Sequence, residues 1–309
     1  MRRKAILFIL LLLALAALIA FDLLSGLGGD ELDRLILREV RIPRVVTAIL
    51  AGAALSVSGL MMQTLFRNPL AGPYTLGVSS GASLGVALVT MAGVSGALSS
   101  LVAAGIVGST LVLLLVIIIA RHIRSHTAML IIGLMMGSIA SALVNLIQNY
   151  ANPDALKLFI TWTFGSLSSV SLSDLGGLAA LTLLGLVLSL ALIKPLNGLA
   201  LGLSYARALG IPIGRVRVLI VLATGLMAGA ITAYCGPIAF IGVAVPHIAR
   251  SLMASGDHRT VLPATALTGA TILVACDILT QLGDYPLPVS TVSALFGAPV
   301  IIWIIARQR

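Results

Sequence analysis

The feature that most constrains this chain is the recurrence of apolar stretches about as long as a bilayer is thick. Behind Met1-Arg2-Arg3-Lys4, the run from Ala5 to Phe21 carries no charge, and comparable stretches recur to the C-terminus. About 20 apolar helical residues cross the hydrocarbon core. On that measure ten candidate spans are expected, near 5–24, 43–65, 77–93, 97–120, 127–150, 174–193, 216–236, 239–254, 262–281 and 290–306. The third and eighth are short and glycine-rich, as broken helices lining a pathway often are. Only 9% of the 309 residues are charged, against roughly 25% in soluble domains. No stretch is left for an independent soluble unit. The expectation is an all-α polytopic membrane protein, a single permease domain over 1–309 with about ten transmembrane helices.

The net charge of +9 would suggest nucleic acid in a soluble protein. Here the basic residues sit in short clusters at the ends of apolar runs, where they act as topology signals. With the N-terminus inside, 14 of the 19 Lys and Arg residues fall on the inner side, and Asp30, Glu31, Asp33, Glu39, Asp154, Asp174 and Asp284 fall outside. Both termini are therefore expected in the cytoplasm, and nucleic-acid binding is set aside. The N-terminal run could pass for a signal peptide, but it exceeds the usual apolar core of one and no convincing small-residue cleavage site follows. It reads as the first helix. Cys235 and Cys276 lie in apolar segments without metal or disulfide spacing and read as small buried hydrophobes.

Two polar segments stand out by length. The outer one, 151–173, contains Phe159 and Trp162, as an interfacial helix would. The inner one, 194–217, holds the short helical pattern Ser204 to Leu209, stopped by Gly210 and Pro212. An inner loop with its own helix suggests a docking surface for a cytoplasmic partner. No G-x-x-x-x-G-K-[ST] phosphate loop is present, and none of the three lysines follows a glycine. Any use of ATP must come from a separate protein.

Two stretches carry most of the information. The first runs from Gly59 through Gln63, Arg67, Asn68, Pro69, Leu70 and Pro73 to Gly77, Gly81 and Gly85: a helix end, a turn, and a new helix whose glycines permit close packing. The second is Gly236-Pro237-Ile238-Ala239-Phe240-Ile241-Gly242 through Pro246-His247 to Arg250. Together with Arg41-Ile42-Pro43-Arg44, Ala208-Leu209-Gly210, Leu287-Pro288-Val289 and Gly297-Ala298-Pro299, they resemble the FecCD family of permeases. These are the membrane subunits of ABC importers for iron-siderophores, haem and vitamin B12. The resemblance covers residues 41 to 300 in family order.

The resemblance implies a homodimer in the bacterial inner membrane, with two cytoplasmic ATP-binding subunits and an extracytoplasmic solute-binding protein. The permease itself would hold no cofactor or metal and perform no catalysis. Carried over by position, Arg207, Ala208, Leu209 and Gly210 would seat in the ATPase, and Arg41 and Arg44 would meet carboxylates of the binding protein. Without the family match, interfacial anchoring explains Arg41 and Arg44 equally well. Asn68 and Leu70, with His126 and Thr127, would form the cytoplasmic gate. Three positions depart from the family pattern: Pro286 stands where Glu is usual, Ser290 where Gly is, and Gln281 where Arg is.

Spacing alone puts Gly133, Gly137, Ser141, Asn145 and Gln148 or Asn149 on one helix face. Amides facing lipid are costly, so this face packs on a neighbour or lines a translocation path. The resemblance favours the path. His122 and His126 mimic metal-ligand spacing but sit among Arg121 and Arg124, which oppose a cation. His247 reads as capping or packing a helix end. Asp277 is either a hydrogen-bonded structural group or a proton relay. The expected cargo is an iron chelate, siderophore or haem, with cobalamin as the alternative. A proton-coupled carrier using Asp277, and a permease for free divalent metal ions, are more distant readings.

Overall fold

The computed structural model describes residues 2–25, 30–91, 98–122, 125–282 and 287–307. Seven helical stretches are long and apolar enough to cross a membrane. They hold α1 (Arg2–Leu24), α3 (Ile42–Phe66), α5 (Leu98–His122), α6 (His126–Gln148), α8 (Leu172–Ala191), α11 (Ile213–Cys235) and α13 (His258–Thr280). Three shorter apolar helices join them: α4 (Val78–Met91), α12 (Ile241–Met253) and α14 (Val289–Arg307). Each falls on one of the ten expected spans, and no strand occurs among the described residues. The fold is all-α and polytopic, as expected.

The second span departs from expectation at its start. Helix α2 (Glu31–Ile36) and a π-helical turn at Leu37–Arg41 run into α3 as one stretch from Glu31 to Phe66. The apolar run marks only the part a membrane would cover, and the charged, exposed α2 extends the helix beyond it. The outer polar segment forms α7 (Pro153–Thr163), started by the Asn152 side chain accepting from the Ala155 N–H at 2.8 Å. Phe159 does not sit at a lipid interface. It is buried beside Val86, Ala87 and Leu101, with Trp162 stacked on it at 6.1 Å.

Helix α3 is the axis of the molecule. Most of its residues are buried, against α11, α12 and α13. Glycine permits that approach: a Cβ at Gly59 would overlap the Gly242 carbonyl of α12, and one at Gly52 would overlap the Gly269 carbonyl of α13. Gly81 and Gly85 play the same part where α4 meets Gly108 and Ala104 of α5. Gly77 does not join them; it lies before α4 at φ 73°, closing a 3-10 turn, Pro73–Leu76.

Antiparallel α3 and α13 define two ends of the molecule. At one, Phe66 finishes α3 and His258 begins α13; at the other, Arg44 of α3 faces Asp277 of α13. The inner polar segment folds at the first end into α9 (Ile193–Leu201), which the sequence pattern did not suggest, and α10 (Leu203–Ala208), which it did. Leu196 and Leu199 bury α9 against the chain.

Candidate coupling and translocation site

Helix α10 stands out from the molecule as a knob. Ala206 is its buried anchor, and the Ile211 N–H closes the segment on the Ala206 carbonyl at 3.0 Å. Gly202 at φ 119° and Gly210 at φ 71° bracket the knob, conformations that favour glycine. Arg207, Ala208, Leu209 and Gly210 are all exposed on it. Its tip is apolar: Leu201 is 66% exposed, Tyr205 50% and Leu209 58%. Exposed apolar side chains on a polar loop are the kind of surface a protein partner can bind.

The turn after α3 lies at the same end. Arg67 at φ 49° ends the helix, and the Asn68 N–H returns to the Gln63 carbonyl at 3.2 Å, a Schellman-type stop. The Asn68 side chain then accepts from the Leu70 N–H at 2.9 Å, which fixes the turn and leaves Leu70 exposed. Pro69 is held from α12, its carbonyl accepting from His247 Nε2 at 2.7 Å. So His247 packs a helix onto a loop. Thr127 is exposed one residue into α6, while the side chains of His122 and His126 lie outside the described ones.

Expected path residues gather round one groove of about 440 Å³, where Tyr74 and Ser80 stand across from Gly137, Ser141 and Asn145. The two glycines also serve packing: a Cβ at Gly133 would overlap the Thr75 carbonyl, and Gly137 lies against Gly77 and Ser80. Ser141 and Asn145 are exposed on the outer surface of α6. Gln148 is half-buried and does not line the groove.

The far end is organised by charge. Asp277 takes a forked pair from Arg44, at 2.8 and 3.0 Å from Nε and 2.9 Å from Nη2, and Arg44 also donates to Thr280 at 2.8 Å. The Asp277 side chain is 2% exposed and that of Arg44 16%. Arg44 therefore turns its guanidinium into the chain in this structure rather than outward to a docking partner. Arg41 is likewise engaged, donating to the terminal carbonyls of α1 at Asp22, Leu23 and Ser25, an ordinary place for a cation. Gln281 donates to the buried Asp22 carboxylate at 3.0 Å, and Ser290 to the Phe164 carbonyl. Pro286 lies outside the described residues.

Sequence reasoning missed a second polar cluster, at the α10 end. Gln63 donates to the Val243 carbonyl at 3.0 Å and accepts from Arg250 at 2.8 Å. Thr64 Oγ1 lies 3.0 Å from His258 Nε2, and Asn197 Oδ1 accepts from the His258 N–H at 2.8 Å and Nδ1 at 2.7 Å. Asn197 in turn donates to Asp257 at 2.6 Å. The Arg259 backbone N–H, and next the Asn197 amide, hold the Asp257 carboxyl below its ordinary range. A Gln and a Thr inside an apolar span were the available signal, since such groups must find partners.

The chain as a whole has known relatives. A family model described as the FecCD transport family matches residues 4–307. The chain belongs to the FecCD transport family. It is a multi-pass protein of the inner membrane. A vitamin B12 import system permease protein, BtuC of Klebsiella pneumoniae, is 38% identical over 280 residues, covering 89% of this chain and 84% of its own. A Methanocaldococcus jannaschii protein named as an ABC transporter permease is 35% identical over 307 residues, 92% of this chain and 87% of its own. A solved structure described as an inward-facing metal-chelate type ABC transporter superposes with a TM-score of 0.90 at 31% identity, over 98% of this chain and 99% of that one. PsaBC from Streptococcus pneumoniae shares the fold, with a TM-score of 0.57 at 18% identity over 91% and 93% of the two chains.

Proposed function

We propose that this FecCD chain is the membrane-spanning permease subunit of an ABC importer for a bulky metal chelate. The observation that carries the reading is the α10 knob. It offers an exposed apolar tip for a partner, on a chain whose sequence has no phosphate loop of its own. In this reading two copies form the path between them along the groove of α6, and two ATP-binding subunits grip the knobs from the cytoplasm. A solute-binding protein delivers cargo at the Arg44–Asp277 end.

Among chelates, cobalamin is favoured by the vitamin B12 permeases at 37–38% identity, and a metal-chelate cargo in general by the structural relative. An iron chelate is the second reading, because it needs the same wide groove lined by small and amide side chains. A proton-coupled carrier is disfavoured: its one candidate relay, Asp277, is committed to Arg44.

Leu209→Glu tests the assignment by placing a charge at the centre of the apolar tip. ATP-driven uptake of labelled cyanocobalamin and of a labelled ferric siderophore by the reconstituted complex should fall at least tenfold for the transported one, while the chain still inserts in the membrane. Unchanged uptake of the transported chelate would remove the knob from the mechanism. Uphill uptake by the purified chain with no ATP-binding partner would overturn the reading as a whole.

A further inference from the structure

The α10 knob and the turn at Asn68–Leu70, which the family resemblance marks as the cytoplasmic gate, lie at the same end of the molecule. The knob is continuous with α9, and α9 meets the transmembrane helices through two kinds of contact. Leu196 and Leu199 make apolar, non-directional contacts in the core. Asn197 makes directional ones: its side-chain oxygen is held by two donors of His258, and its amide by Asp257. An amide oxygen only accepts, so the His258 proton sits on Nδ1. Nε2 of the same ring meets the Thr64 hydroxyl at 3.0 Å, and that hydroxyl donates to the Leu60 carbonyl at 2.9 Å. His258 and Thr64 are 3% and 6% exposed, so water cannot stand in for either partner.

Thr64 occupies the last turn of α3, directly before the gate turn. Beside it, Gln63 receives the Schellman bond from Asn68 on its carbonyl, and its side chain is pinned to α12 by Arg250 and Val243. His247 of the same helix holds Pro69. A continuous line of directional contacts therefore leads from α9 through the start of α13 and the end of α3 into residues 67–70.

We propose that Asn197, His258 and Thr64 form a positioning relay that transmits displacement of the knob to the gate turn at Asn68–Leu70. The inference rests on the importer reading, because it presumes that an ATP-binding partner moves the knob. Polar groups held by directional bonds, two of the three buried, have few other ways to be satisfied. A shift of α9 therefore drags His258 and the end of α3 with it, where an apolar contact would slip. None of the three touches cargo or nucleotide in this scheme; they act through the turn they position.

The experiment uses the full complex, permease with its ATP-binding subunits, in nanodiscs. Leu70→Cys reports on the gate by its labelling rate with a water-soluble maleimide, compared without nucleotide and with ATP plus vanadate; Cys235 and Cys276 are buried. The labelling rate should change between the two states. Thr64→Val, which keeps the shape but removes the hydroxyl, should shrink that change about threefold or more. Thr64→Ser should restore it, and the ATP-binding subunits should still co-purify and hydrolyse ATP in both. A full nucleotide-dependent change in Thr64→Val would overturn the relay. So would a Thr64→Ser variant as defective as Thr64→Val, since packing rather than the hydroxyl would then be at stake. If the Leu70→Cys background shows no change while ATP is hydrolysed, the turn at Asn68–Leu70 is not the gate and the relay falls, whereas a purified chain that pumps without an ATP-binding partner overturns the importer reading.

Discussion

Helices α3 and α13 are fastened at both ends, but by different chemistry. At the far end the fastener is a forked ion pair, Arg44 on Asp277, reinforced by Thr280 and withdrawn from water. At the knob end it is a chain of neutral hydrogen bonds through Thr64, His258 and Asn197. Breaking a buried ion pair by removing one partner costs about 3–5 kcal/mol. A single hydrogen bond contributes only about 0.5–1.5 kcal/mol net. The same two helices are thus clamped at one end by an ion pair and latched at the other, beside the knob, by hydrogen bonds.

The largest break in this contrast is Asp277→Ala, which leaves the Arg44 guanidinium without its carboxylate and holding only the Thr280 hydroxyl. It should cost about 3–5 kcal/mol, read as a clear drop in melting temperature of the purified chain in detergent. Asn197→Ala at the other end orphans the His258 donors and should cost about 1–3 kcal/mol. Amide exchange should then accelerate in α9 and the first turn of α13 while the Asp277 end keeps its protection. Equal acceleration at both ends would refute the idea that the latch opens on its own. The smallest effect is expected from Gln281→Arg, which brings a cation to the buried Asp22 carboxylate that Gln281 already contacts. A gain of roughly 0.5–1 kcal/mol should appear as a slightly higher melting temperature. A loss would mean that the site has no room for the longer side chain.

Much of the helix map was legible from the sequence because lipid imposes a single length on every crossing. The ten apolar runs landed on ten helices, including the two expected to be short. Helix α9 escaped notice because its buried face is only Leu196, Gly198 and Leu199 in a segment of mixed composition. The expected site was legible in outline. Leu209 and Gly210 could be placed on an exposed turn from Gly210 and Pro212 alone, and the small-residue face of α6 from its period. Partner choice was not legible. Arg44 sits next to Pro43 at the start of a span and looks available, but Asp277 is 233 positions away in sequence and only the fold brings the two together. The same distance hid His258 from Thr64, 194 positions apart.

The two short helices carry a consequence for how the hydrocarbon is crossed. At 14 and 13 residues, α4 and α12 reach about 21 and 20 Å at 1.5 Å per residue, less than the roughly 30 Å of hydrocarbon. Their starts also touch: Gly242 abuts Pro73, and the Ile238 N–H donates to the Tyr74 hydroxyl at 3.2 Å. Over their described residues neither helix spans the hydrocarbon by itself, and each lies against a longer neighbour, α4 on α5 and α12 on α13, so these crossings are completed by pairs of helices rather than by single ones.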